Sequence, residues 1–269
     1  MQTLNRSSNI YFNYKFTYFF FFLLCAYNQA HSFYIGPQFQ HENYKEDFKK
    51  TLRSNEEKSN EKGTLYGFKG GIEYLNKSLY ADAHLEYAKG TTNFDGTRYN
   101  YKTRALRPYK ALTENDQLVL EGSLGYPFKI KNFRFIPFWG FGFNHWSRQL
   151  EDYLEIYRWV YFPFGAISEI SFFSLWNIGI KAKAMPTALA EIEFRGVYPW
   201  PSKLMLENRW QYSLDLYTKI KVKKVNIWLG VFYRNLNMGE SRKIRKSSFS
   251  TQSSKKEIFG EEFLLEFGF

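Results

Sequence analysis

From its last residues backward, the chain alternates large apolar and polar side chains with a period of two. In residues 262–269, Phe263, Leu265, Phe267 and Phe269 share one face, and Glu262, Leu264, Glu266 and Gly268 share the other. Successive side chains of an extended backbone point to opposite sides. A run like this therefore needs two different surroundings, one on each face. The same test finds nine more strands, at 33–41, 64–75, 79–88, 116–126, 133–144, 157–166, 174–184, 208–219 and 224–234. The clearest are 79–88, with Leu79, Ala81, Ala83, Leu85 and Tyr87 against Asp82, His84 and Glu86, and 208–219, with Trp210, Tyr212, Leu214 and Leu216 against Gln211, Ser213 and Asp215. Segment 157–166 is apolar on both faces.

Composition sharpens the choice of surroundings. Aromatic residues make up 21% of the chain, yet its mean hydropathy is −0.47. Strands with one face in lipid and the other toward a polar interior reconcile the two values. After residue 32 no run of 18 apolar residues occurs, which excludes a helical membrane bundle. In lipid, only helices or closed barrels satisfy every backbone polar group. The expectation is an all-β fold: a transmembrane, up-and-down antiparallel β-barrel of ten strands over residues 33–269. Eight strands is the alternative, if 157–166 and a neighbour do not cross. The expected connections are 42–63, 76–78, 89–115, 127–132, 145–156, 167–173, 185–207, 220–223 and 235–255. They alternate long and short, as external loops and periplasmic turns do. A soluble β-sandwich has no reason for that alternation. Pro137 and Pro163 fall inside expected strands, where proline removes a ladder bond.

The first 32 residues read as an export signal. Arg6 and Lys15 supply positive charge, Phe16 to Tyr27 an apolar stretch, and Ala30-His31-Ser32 a cleavage site after Ser32 for Sec-pathway secretion. The one cysteine, Cys25, lies within this segment; a lipoprotein site there would want a small residue where Leu24 stands. The part after residue 32 can form neither a disulfide nor a cysteine metal site. Formal charge is +11. The cations gather in expected external loops, Arg98, Lys102, Arg104, Arg107 and Lys110 in one and Arg242, Lys243, Arg245, Lys246, Lys255 and Lys256 in another. That pattern favours the phosphates of lipopolysaccharide, or anionic host glycans, over nucleic acid.

The inward faces collect charge of both signs: Lys69, Glu73, Asp82, His84, Glu86, Glu121, Arg134, Lys181, Lys183, Asp215, Arg234, Glu262 and Glu266. Trp228, Phe232 and Phe138 also fall inward. A ten-strand barrel is narrow, so the expectation is an interior filled by ion pairs, with a narrow conduit as the alternative. Acid pairs such as Asp82 with Glu86 are what any polar lining produces. No phosphate loop, zinc spacing or calcium loop is present, and no cofactor is expected.

The stretch Ile136-Pro137-Phe138-Trp139-Gly140-Phe141-Gly142-Phe143, with Trp146, Arg148 and Tyr157 to Gly165, resembles small outer-membrane barrels of the opacity and OmpA-like type. That resemblance implies a structural or adhesin-like role in the bacterial outer membrane. It also makes the aromatic strand ending Phe263, Leu265, Phe267 and Phe269 the signal read by the barrel-assembly machinery. His145-Trp146-Ser147 resembles the His-x-Ser of outer-membrane lipid A deacylases, with Glu151 or Glu155 as the carboxylate. Arg148 stands where that family has asparagine. Ten strands also bring the omptin proteases to mind, but no matching acidic or Asp–His motif is present.

Overall fold

In the computed structural model, the described residues are 32–48, 57–100, 105–151, 153–173, 175–196, 203–240 and 253–268. The export signal, apart from Ser32, lies outside them, as do Phe269 and the 241–252 part of the second basic loop.

Every described element is a strand: β1 Ser32–Phe48, β2 Glu57–Leu75, β3 Tyr80–Asn100, β4 Ala105–Gly125, β5 Phe128–Ile130, β6 Phe133–Leu150, β7 Tyr153–Tyr161, β8 Phe164–Phe172, β9 Trp176–Arg195, β10 Lys203–Met205, β11 Trp210–Val222, β12 Val225–Met238 and β13 Ser254–Gly268. All pairings are antiparallel. β1 pairs with β2 on one side and with β13 on the other, so the sheet returns to its start. The ring runs β1, β2, β3, β4, β6, then β7 with β8, then β9, β11, β12 and β13. β7 and β8 act as one strand interrupted at 162–163, since both lie between β6 and β9. Ten ring positions result, one for each strand expected from the alternation. β5 and β10 are short side pieces on β6 and β9.

Outward and inward residues separate as the period of two requires. Ile35, Pro37 and Phe39, Tyr66 and Phe68, Trp139 and Phe141, Leu214 and Leu216, and Phe263 and Phe267 are exposed, while the residues alternating with them are buried or half-buried. This apolar band runs roughly from Phe33 to Phe39 in β1, Tyr66 to Tyr74 in β2, Leu79 just before β3 to Tyr87 within it, Leu120 to Leu124 in β4, and Phe259 to Phe267 in β13. Inward aromatic rings are seated on glycines of the next strand. The Tyr161 ring occupies the space of a side chain at Gly142, 2.1 Å from where its Cβ would be, and Tyr217 does the same at Gly179 at 2.3 Å. Only glycine admits such close approach.

The strands run far past this band, which corrects the expected loops. Most of 42–63, 89–115, 145–156 and 185–207 is strand, and of 235–255 the described ends 235–238 and 254–255 are strand too: β3 and β4 stay paired out to Asn100 and Ala105, and β6 meets β7 at residues 150–153. Above the band both faces carry polar residues, as in Thr91 and Asn93 beside Thr92, so little amphipathic contrast marks the strand. Residues 167–173 are not a turn either; β8 continues to Phe172, and the turn follows it. The eight-strand alternative does not fit this pairing.

Candidate functional site

Among the described residues, chemistry-bearing side chains converge in the interior, which is built in layers. At the end near the short turns, Tyr34, Trp228 and Tyr217 form a stack with ring centroids 5.9 and 5.1 Å apart. The Lys219 ammonium sits 3.5 Å over the Trp228 ring. Around this stack, Arg134 donates from Nε to Glu169 at 2.8 Å, the Tyr217 hydroxyl donates to Glu169 at 2.7 Å, and Lys219 lies 3.9 Å from Glu73. The Trp228 indole donates to Glu266.

The next layer holds most of the remaining expected residues. Asp82 accepts from the Tyr34 hydroxyl at 2.8 Å and lies 2.8 Å from His84 Nδ1. Arg234 grips Glu86 with two bonds of 2.6 and 2.9 Å. Lys69 donates to Glu262 at 3.0 Å and is 3.6 Å from Glu86. Glu121 accepts from Lys183 at 2.6 Å and from Tyr161 at 2.8 Å, with Lys181 4.0 Å away. Asp215 accepts from Ser213 at 2.9 Å. Among the described residues these side chains gather into neighbouring groups, with Asp82, His84, Glu86, Arg234, Lys69 and Glu262 in one, Glu121, Lys181 and Lys183 in another, Glu73, Arg134 and Glu266 around the aromatic stack, and Asp215 beside Ser213; Glu169, Lys219, Tyr34, Tyr161 and Tyr217, which the period-two search left out, pack with them. Glu169 and Lys219 lay in the expected turn and at a strand end.

Above this network comes a belt of buried amides, Gln38, Gln40, Gln117 and Asn144, several of whose polar atoms have no partner among the described residues. Over the belt, and above the apolar band, lies a second charged cluster absent from the sequence reading. Arg148, 1% exposed, donates from Nε to Glu61 at 2.7 Å and from a terminal nitrogen to Glu155 at 2.7 Å, and stands 3.9 Å from Glu46. Asn115 donates to Glu61 at 2.8 Å, and Thr92 donates to it as well. Trp146 stacks on Tyr157 at 4.7 Å and meets the Tyr44 ring at 5.1 Å. Lys256 lies 4.0 Å over Trp146 and 2.5 Å from Glu42. Burial pushes the Glu61 carboxyl up, but Arg148 and the Thr92 and Asn115 donors outweigh it and hold the group below its ordinary range. For Glu155, burial and neighbouring Glu46 win over Arg148, and the carboxyl is raised. The signal that could have found this cluster is a spacing of two between aromatic and charged residues: Tyr44 and Glu46, Trp146 and Arg148, Glu155 and Tyr157.

Two expectations for the surface are corrected here. Lys256 belongs to no external loop: it points inward from β13. Arg107 and Lys110 lie in β4, and Lys110 is 3.2 Å from Asp95. Lys255 pairs with Glu257 at 2.9 Å. Of the assembly-signal residues, Phe263 and Phe267 face outward with Leu265 half-buried beside them, and Phe269 lies outside the described residues.

The His-x-Ser pair occupies the outer wall of β6 just above the band. Ser147 stands opposite Asp116, and His145 opposite Arg158. Neither expected carboxylate joins them. Glu155 points to the interior, and Glu151 sits in the β6–β7 turn with φ of 46°. Asp116 accepts from Tyr87 at 2.7 Å, and Arg158 pairs with Glu191 at 3.1 Å and Glu193 at 2.9 Å. Burial and the Arg158 charge lower the His145 pKa. Among the described residues, no hydrogen bond joins His145 to Ser147 or to a carboxylate.

A closed antiparallel ring with an apolar outer band and a charged, filled interior is the fold of outer-membrane β-barrels. The outer membrane protease OmpT of Escherichia coli has this fold at a TM-score of 0.63, with 10% identity over 89% of this chain and 97% of OmpT. The outer membrane protein OprG of Pseudomonas aeruginosa also aligns, with 9% identity over 90% of this chain and 97% of OprG, at a TM-score of 0.41. No protein-family model matches the chain, and no curated protein matches it in sequence.

Proposed function

We propose that the chain is an integral protein of the bacterial outer membrane, a sealed ten-strand barrel whose role is structural or surface-interactive rather than catalytic. The observation that carries this reading is the filling of the interior. Inside an apolar wall, two aromatic–cation layers, around Trp228 and around Trp146, lie near the two ends of a lumen crowded with ion pairs. A lumenal cavity beside Tyr34, Asp82 and Trp228 is about 40 Å³, room for a water or two rather than a solute path. Bilayer lipid, lipopolysaccharide and the barrel-assembly machinery are the partners that such a wall and C-terminal strand imply. The basic loop tips suit an anionic surface glycan.

Reconstitution in planar bilayers tests this directly. The expected result is a folded, heat-modifiable protein that passes no steady current. Sustained conductance would replace the sealed barrel with the narrow conduit.

A further inference from the structure

One sector of the wall is under-bonded, and the cause is visible in the sequence. Directly opposed residues of an antiparallel ladder, when hydrogen-bonded, exchange two N–H···O=C bonds. Proline has no N–H to give. The Tyr126 amide donates to the Pro137 carbonyl at 3.2 Å, the Gly140 amide to Pro163 at 2.7 Å, and the Phe162 amide to Pro186 at 3.1 Å. In each case the return bond cannot form. Three successive seams, the end of β4–β6, β6 to β7–β8, and β7–β8 to β9, therefore each lack a bond. The ring strand itself breaks here, between Tyr161 and Phe164, and the β7–β9 register shifts between Arg158 and Val160.

What lies on each side of this sector differs. Outside, Phe141 meets Phe162 at 5.9 Å and Phe164 meets Trp210 at 5.7 Å, both edge to face, and all four are exposed in the apolar band. Inside is a cavity of about 20 Å³ lined by Tyr161, Met185, Lys183, Gln117, Asn144 and Arg234. Among the described residues, two buried donors on its lining, Arg234 Nε and Gln117 Nε2, and one acceptor, Asn144 Oδ1, have no hydrogen-bond partner. An unpartnered buried donor is costly, and these two face the same space. Met185, unbranched and adaptable, stands immediately behind the break.

We propose that this sector is a lateral portal from the outer leaflet, and that it takes a single-chain amphiphile. Its apolar chain lies along Phe141, Phe162, Phe164 and Trp210, and its acceptor head, a carboxylate or comparable oxygen, reaches Arg234 and Gln117. The cavity accommodates the head's leading oxygen, and Met185 swings aside for the atoms behind it. The proposal rests on the reading that the outer wall faces lipid.

The test uses the full barrel in lipid nanodiscs containing a diazirine-bearing fatty acid or, in a second arm, a diazirine-bearing phospholipid, with labelled residues mapped by mass spectrometry. Phe141, Phe162 and Phe164 should be labelled in either arm, which checks the lipid-facing wall on its own. The portal predicts additional labels on Tyr161 and Met185. Inner labels from the fatty acid alone identify a free amphiphile, and inner labels from both identify a bilayer chain; either supports the portal. Pro163→Ala with Pro186→Ala restores two N–H donors and should cut inner labelling at least about tenfold while sparing the outer labels. A Phe141→Cys and Phe162→Cys disulfide across the seam should do the same. Outer labels without inner ones in the wild type, or inner labels unchanged in both closed variants, would overturn the portal. Loss of the outer labels would overturn the membrane reading itself.

Discussion

Replacing Arg148 with Met keeps the aliphatic stem and removes the guanidinium that holds the upper cluster. Glu61 and Glu155 each lose a 2.7 Å partner, and Glu46 loses the cation 3.9 Å away. Removing one member of a buried pair and leaving the other charged costs roughly 3–5 kcal/mol. For a domain of this size that is a fall of about 6–20 °C in the unfolding midpoint. The pH dependence is the sharper signature. In the wild type, the Glu61 carboxyl is held below its ordinary 4.5, so it contributes stability above that value and loses it as the pH falls through the folded pKa. In Arg148→Met the attraction is gone and burial dominates. The carboxyls then become easier to protonate than in the unfolded chain, and stability rises as the pH falls from 7 toward 4. Heat-modifiability on gels, followed across that range in detergent, reads both slopes. A loss below about 1 kcal/mol, or parallel slopes for the two proteins, would refute the claim that Arg148 neutralises a buried acidic cluster.

Three further outcomes follow from the same structure. Leu216→Arg, on the exposed face of β11, should destabilise the barrel in bilayers by about 2–4 kcal/mol, whereas Thr218→Arg, nearer the strand end, should cost less; urea titration in lipid vesicles distinguishes them. Arg234→Leu leaves Glu86 in the lumen with Lys69 and His84 nearby but without its two-bond partner and should cost about 3–5 kcal/mol, most of it recovered when Glu86→Gln is added, as a double-mutant cycle would show. Lipid A extracted after incubation with the purified protein should keep its acyl chains, and His145→Ala and Ser147→Ala should behave as wild type; acyl release lost in both variants would reinstate a hydrolase.

The alternation of side chains carried the ring because lipid and lumen impose opposite demands on neighbouring residues. It located ten strands, including the weak segment 157–166, whose two apolar faces reflect Trp159 and Tyr161 packed inward rather than a failure to pair. Pro163, which argued against a continuous strand there, sits where β7 gives way to β8. The upper half of the strands was not legible. Once the outer face meets water, Lys62 and Glu61 differ in environment but not in polarity, and the pattern that marks a wall disappears. The Arg148 cluster was hidden for the same reason, since its members come from β1, β2, β3, β4, β6, β7 and β13 and are joined only by the register.

The extension of β3 and β4 beyond the hydrocarbon has a mechanical meaning. From Tyr87 to Asn100 the pair continues for thirteen residues, which, at about 3.3 Å per residue and a tilt near 45°, lifts the hairpin end roughly 30 Å. The far end of this hairpin is therefore a stiff collar held at a fixed height, with a shape inherited from the sheet rather than from a loop.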